Sequence, residues 1–185
     1  MLLDKISNPI ETLDAGRFAL RAVRPSDVGL IAHYTADRRL AEGTRSIPHP
    51  LPPGAAEAYV AQAMNPQHDE DVWVLDGSAS GLPEVLGVIS LKRMEDGKLG
   101  RRQSQVGYWV AQAFWNTGIA SEAVAALIRA NPQQSCCLFA EVFQDNPGSA
   151  KVLINNGFTY LGDAETYSVA RGARVPTWTY ILKLV

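Results

Sequence analysis

Cysteine is nearly absent from this 185-residue chain, and the only two, Cys136 and Cys137, are adjacent. Neighbouring cysteines rarely reach disulfide geometry, so no disulfide framework is expected and the pair reads as reduced, buried thiols. Charge of one sign is lacking too: 17 Lys and Arg against 19 Asp and Glu give a formal net charge of −2 and a pI of about 5.9. No basic field therefore favours nucleic acid or an anionic membrane as a partner. No apolar run is long enough to span a bilayer, and MLLDKISNPIETLDAG, with an acidic residue at position 4, has no signal-peptide core. A cytoplasmic protein is expected. Internal repeats, low-complexity tracts and linkers are missing as well. With 46% hydrophobic residues, the chain reads as one domain, 1–185, large enough to bury a sizeable core.

What is present is an alternation of strand-like and helix-like segments. FALRAVRP (18–25) alternates like a strand that ends at a proline, and Ser26 is placed to cap a helix carrying Val28, Ile31, Ala32 and Thr35 on one face. SIPHPLPPG has four prolines in nine residues and cannot be helical. Ala56, Tyr59, Val60, Ala63 and Met64 then recur at helical spacing. VWVL (72–75), EVLGVISLKRM (84–94) and SQVGYWVA (104–111) are rich in branched and aromatic residues and read as a three-stranded meander, with turns at SASGLP and EDGKLG. A helix opening near Gly118 leads to CCLFAEVF (136–143), a near-continuous apolar run suited to a strand buried on both faces. A helix over about 146–156 follows, closed by Gly157, and TWTYILKLV makes a last strand. The resulting order, β, α, α, three β, α, β, α, β, β, is that of a layered α+β domain with a mixed sheet.

Two segments carry chemistry. In WNTGIASEAVAALI (115–128), Ile119, Ala120, Ala123, Val124, Leu127 and Ile128 share one apolar face, so the helix starts close to Gly118. The first turn of a helix has N–H groups without internal partners and a partial positive charge, and small residues there let a phosphate approach the backbone. Taken alone, the stretch reads first as an ordinary strand-to-helix turn. In FQDNPGSAKVLINNGF (143–158), Asn146 is a good N-cap, Pro147 sits at the first helical position and Gly157 supplies the left-handed terminus.

Together, YWVAQAFWNTGIASEA and NPGSAKVLINNGF resemble the paired signature of the GNAT acyl-CoA-dependent N-acetyltransferases, in the branch that acetylates ribosomal-protein N-termini (RimJ/RimL-like). The resemblance covers residues 17–163 and, more loosely, the C-terminal strand at 176–185. It implies the GNAT fold, a mixed and mostly antiparallel sheet flanked by helices. It also implies acetyl-CoA as cosubstrate, no metal, and an amine acceptor that is either a peptide N-terminus or a small molecule. By the same resemblance, the pyrophosphate lies on the backbone of Thr117, Gly118, Ile119, Ala120 and Ser121, beside Trp115 and Asn116. The pantetheine follows Gln105–Ala111 past Trp109 and Val110, with the thioester carbonyl on backbone N–H near Val110. Asn146 is implied to contact the pantetheine amide region or a water, and Ser149 to protonate the departing sulfur.

The pattern is departed from at Asn116, which stands where the branch has glycine; a left-handed backbone there relies on asparagine's tolerance of φ > 0. A general base is the other open point. Glu141, flanked by Phe139, Ala140, Val142 and Phe143, must find a partner or neutralise, and is the strongest candidate. Glu42 and His33 read as solvated helix residues and His49 as exposed in its proline loop. Arg101 and Arg102 are candidates for a CoA phosphate, though turn residues of this kind are usually solvated, and Trp73 and Trp109 also read as core. Tyr108 lines a cleft on one face of its strand, with the face undetermined. The acceptor is expected near SIPHPLPPG and GDAETYSVARGARVPTW. An acyl-CoA sensor without turnover is the alternative, and a homodimer through an exposed edge strand is left open.

Overall fold

The computed structural model of the chain describes residues 10–94 and 102–184. The turn expected at EDGKLG lies outside the described residues, as does Arg101. In chain order the elements are β1 (Leu13–Asp14), β2 (Ala19–Ala22), α1 (Val28–Thr35), α2 (Arg38–Glu42), α3 (Ala55–Ala63), β3 (Glu70–Asp76), β4 (Gly87–Arg93), β5 (Gln103–Val110), α4 (Ile119–Ala130), β6 (Cys137–Phe143), α5 (Pro147–Asn155), β7 (Thr159–Ser168) and β8 (Ala173–Lys183). The strands form one sheet in the order β1-β2-β3-β4-β5-β6-β8-β7. Every neighbouring pair is antiparallel except β5 with β6, which run parallel and are joined through α4.

Alternation along the strands sends side chains to two cores. On one face Trp73, Leu75, Ile89, Leu91, Val106 and Leu138 pack under α4 and α5, which contribute Ile119, Val124, Leu127 and Leu153. On the other, Val72, Val74 and Val88 meet Ile31 of α1 and Ala56 and Val60 of α3. The expected helices and strands are in place, with differences at their ends. Pro25–Asp27 form a 3-10 turn, and the N-cap of α1 is Asp27 rather than Ser26. Asp27 is drawn inward by Arg21: the two are buried, and the guanidinium donates to both Asp27 oxygens (2.9 and 2.8 Å) and through Nε to Asp76 (2.5 Å). The strand expected from residue 84 begins at Gly87.

Three expectations are corrected. β6 is not buried on both faces: Leu138, Ala140 and Val142 are buried, whereas Cys137, Phe139 and Glu141, alternating with them, are half-buried, and Glu141 borders a cavity. The two cysteines are likewise half-buried rather than buried. Their sulfurs lie 3.7 Å apart, well beyond the roughly 2.05 Å of a disulfide. His49 is half-buried instead of exposed, and its Nδ1 has no hydrogen-bond partner among the described residues.

Candidate active site

The parallel strands are where the sheet opens. β5 and β6 pair only over Gln103–Val106 against Cys137–Ala140, although β5 runs on to Val110 and β6 to Phe143. Beyond that point the strands part, at their carboxyl ends, where open sheets characteristically receive ligands. Ala111 N donates to Leu86 O (2.8 Å) and Met94 N to Gln103 O (3.0 Å). The odd-numbered residues of β5 thus commit their peptide groups to β4, and by the alternation of an antiparallel ladder the N–H groups of Tyr108 and Val110 face the gap. Polar backbone aimed into a gap between strands is the donor arrangement that a thioester or amide carbonyl needs.

A cavity of about 750 Å³ reaches this gap, within the range of small-molecule sites. Glu141, Asn146, Ser149, Tyr108 and Trp109 all border it, so the three residues singled out for catalysis meet around one space. Asn146 is the N-cap of α5, its Oδ1 accepting from Ser149 N (3.2 Å), which fixes the first turn and with it Ser149. Ser149 Oγ donates to the Tyr108 hydroxyl (2.9 Å), which donates to Ser149 O (3.0 Å). Tyr108 therefore faces α5, the point that alternation alone left open. Burial pushes its phenol up to about 12, the Ser149 hydrogen bond opposing, so it stays a neutral O–H at physiological pH.

Glu141 finds the partners that its apolar neighbours demand. Its Oε1 accepts from Thr177 Oγ1 (2.6 Å) and Thr166 Oγ1 (2.8 Å), and its Oε2 lies 3.9 Å from Arg45. Thr166 and Thr177 lie in the C-terminal segment GDAETYSVARGARVPTW expected near the acceptor, and Arg45 immediately precedes the other, SIPHPLPPG. The hairpin tip is tied down over them: Val169 N donates to Arg45 O (3.0 Å), and Arg171 donates to Glu42 O (2.9 Å) and to both Asp145 oxygens (2.6 and 3.1 Å) while lying over the Phe143 ring.

The remaining site residues form a second cluster at the start of α4, outside the cavity lining. Gly118 is the N-cap with φ +86°, and Asn116 has φ +61°, so the left-handed backbone that asparagine was expected to tolerate is present. The indole of Trp115 donates to Val110 O (2.7 Å), pinning the loop to the end of β5. Ile119, Ala120 and Ser121 occupy the first turn, whose N–H groups lack intrahelical partners by construction. Asn156 donates to Ser121 O and Oγ (3.3 and 3.0 Å), tying α5 to α4. Arg17 donates to Thr117 O (2.8 Å) and pairs with Glu122 (2.7 Å), which offsets the one acidic charge in that turn. These features fit a pyrophosphate: donor-rich backbone, no bulky side chain at Gly118, and the local carboxylate neutralised. Arg102 instead bonds Gln134 (2.9 Å).

Several functional-looking groups were not singled out from sequence. Arg17 and Glu122 are 105 positions apart and Asn156 and Ser121 are 35 apart, with no local signal linking them. Among the described residues, no cluster of three His, Cys, Asp or Glu side chains could hold a metal ion, and no helix is long and apolar enough to cross a membrane.

The chain is similar to known proteins in sequence and shape. Ribosomal-protein-serine acetyltransferase of Escherichia coli (strain K12) is 37% identical over 82 residues, 43% of this chain and 44% of that protein; the match thus spans less than half of the relative. The structure of the microcin C7 self-immunity acetyltransferase MccE in complex with acetyl-CoA and AMP superposes with a TM-score of 0.76 at 15% identity, over 91% of this chain and 93% of that one. Mycobacterium smegmatis RimJ in complex with CoA-disulfide gives a TM-score of 0.74 at 21% identity, over 96% and 88%. These likenesses establish the fold. The acetyltransferase (GNAT) domain family model matches residues 17–159, most of the chain, and the chain belongs to that family.

Proposed function

We propose that the chain transfers an acetyl group from acetyl-CoA to a primary amine, either a protein N-terminal α-amine or the amine of a small molecule. The observation that carries this reading is the gap between β5 and β6, with Tyr108 and Val110 N–H aimed into it and Ser149 and Glu141 on its walls. Acetyl-CoA lies with its pyrophosphate on the first turn of α4 and its thioester in the gap. The amine enters from the α1–α3 side of the sheet. As the nitrogen attacks, Val110 N–H and its neighbour stabilise the oxyanion, and Ser149 supplies a proton to the leaving sulfur. A thiol's ordinary pKa is about 8.5, so positioning contributes more than proton donation. Hydroxyl hydrogens rotate, which lets Tyr108 turn to donate to Ser149 Oγ while Ser149 donates onward.

The location that goes with this reading is the cytoplasm, where ribosomal proteins of the kind named for the Escherichia coli relative are assembled. The exposed edge strand β7 is the surface we assign to any self-association. The test is a thiol-release assay with acetyl-CoA over peptides bearing free N-terminal serine or alanine and over spermidine, alongside thermal shift. Stabilisation by acetyl-CoA with amine-dependent thiol release supports the enzyme. Stabilisation without release against every amine selects the sensor instead, and no stabilisation removes both.

A further inference from the structure

The proposed reaction needs a group that takes a proton from the amine as the C–N bond forms, and Glu141 is not the only carboxylate on the cavity. A row of residues crosses the cavity floor on the α1–α3 face: Val72 of β3 pairs with Ser90 of β4, and Ser90 with Gly107 of β5. Gly107 is exposed in mid-sheet, and a Cβ there would come within 3.3 Å of Ser90 Oγ. With no side chain at 107, nothing from that residue covers the Ser90 hydroxyl, which is 7% exposed and borders the cavity across from Gly107, one residue from Tyr108. Behind it, Ser90 Oγ donates to Glu70 Oε1 (2.5 Å). Both line the cavity.

The two carboxylates differ in their surroundings. Glu141 Oε1 already accepts two threonine hydroxyls and Oε2 faces Arg45. Glu70 makes no ion pair among the described residues: its cross-strand neighbour Lys92 lies instead 3.7 Å from Asp69. His68 approaches Glu70 only at its backbone carbonyl (3.1 Å). The phenol of Tyr59, from α3, is raised by burial and by the Glu70 charge, so it stands close and neutral.

We propose that Ser90 and Glu70 form the proton relay for the acceptor amine. Once nitrogen has bonded to the carbonyl carbon, the N–H proton passes to Ser90 Oγ as the Ser90 proton passes to Glu70 Oε1. The carbonyl π pair, held on oxygen meanwhile, then re-forms C=O and breaks the C–S bond, the sulfur leaving with the Ser149 proton, which Ser149 regains from cavity water. Glu70 afterwards returns its proton to water in the cavity. Ser90 touches the amine; Glu70 acts through it as a positioning and proton-accepting residue.

The inference rests on the acetyltransferase reading, and the experiment separates the two. Using the whole protein, acetyl-CoA and whichever of the serine peptide, alanine peptide and spermidine is acetylated, Glu70→Gln and Ser90→Ala are each expected to lower kcat by about a hundredfold, the lower bound typical of acid–base assistance. The KM for acetyl-CoA and the thermal shift that it produces stay unchanged. Formate, added to Glu70→Ala, is expected to restore part of the lost kcat, which a merely structural role does not allow. A Glu70→Gln kcat within twofold of the parent, or a loss that formate leaves untouched while acetyl-CoA binding weakens in proportion, overturns the relay alone. A parent protein inactive toward every amine overturns the acetyltransferase reading, and the relay with it.

Discussion

Tyr108→Phe keeps the buried ring and removes one oxygen, so its effect isolates the hydroxyl pair. In the parent, that oxygen makes both contacts to Ser149, accepting from Oγ at 2.9 Å and donating to the carbonyl at 3.0 Å. Each such bond is worth about 1 kcal/mol net, and the serine hydroxyl recovers part by turning to cavity water. The expected destabilisation is about 1–2 kcal/mol, a fall in Tm of roughly 3–6 °C for a domain of this size. The catalytic effect comes from orientation. Freed from Tyr108, the Ser149 hydroxyl samples about three staggered rotamers instead of one, and kcat falls by about three- to tenfold. Ser149→Ala alone slows turnover without abolishing it, since the backbone donors remain. The decisive assay is a double-mutant cycle on kcat: if Tyr108 works through Ser149, the double variant is no slower than Ser149→Ala, and the cycle shows coupling of about 1 kcal/mol. Losses that multiply independently refute the reasoning, and a Ser149→Ala kcat equal to the parent's removes Ser149 from the mechanism.

Asn116→Gly is expected to hold or tighten acetyl-CoA affinity, because φ +61° suits glycine better, whereas Asn116→Val weakens it by about tenfold through backbone strain of roughly 1–2 kcal/mol; calorimetric titration checks both. Asp27→Ala leaves the buried Arg21 guanidinium with Asp76 as its one carboxylate partner and costs about 3–5 kcal/mol, read as a lowered urea midpoint at unchanged slope. The Arg171 guanidinium holds Asp145 below its ordinary value of 3.8, so this pair's stabilisation is fully present above that value and fades as pH falls through the lower folded value. Asp145 is largely exposed, which limits the effect to a few tenths of a kcal/mol. Asp145→Asn should therefore lower Tm slightly at neutral pH and not at about pH 2, and a Tm difference that persists in acid contradicts the assignment.

Much of the frame was legible because its signals are local. Gly157 reads as a left-handed position, Gly118 as a helix start, Asn146 as a cap and Asn116 as a tolerated φ > 0, since each depends on its own stretch of chain. α2 went unread because five residues, RRLAE, are too few to show a period; its cap, Asp37, accepts from Arg39 N. The two-residue β1 is shorter still. What the sequence could not reveal is mostly a matter of register. The face of Tyr108, the Ser90–Glu70 contact and the threonines on Glu141 all depend on which residues of distant strands stand opposite each other, and a one-residue slip moves every one of them to the other face. The gap itself is where pairing stops, and nothing in β5 or β6 alone marks the residue at which two strands part.

The claim on which the account turns is that the gap between β5 and β6, continued by the first turn of α4, is the acetyl-CoA site. Titrating acetyl-CoA into isotope-labelled protein and following backbone amide shifts tests it most directly. The account predicts the largest shifts at Tyr108, Val110 and Thr117–Ser121, with smaller ones at Asn146 and Ser149. Saturable shifts confined to the α1–α3 side of the sheet, with these amides unmoved, would contradict it.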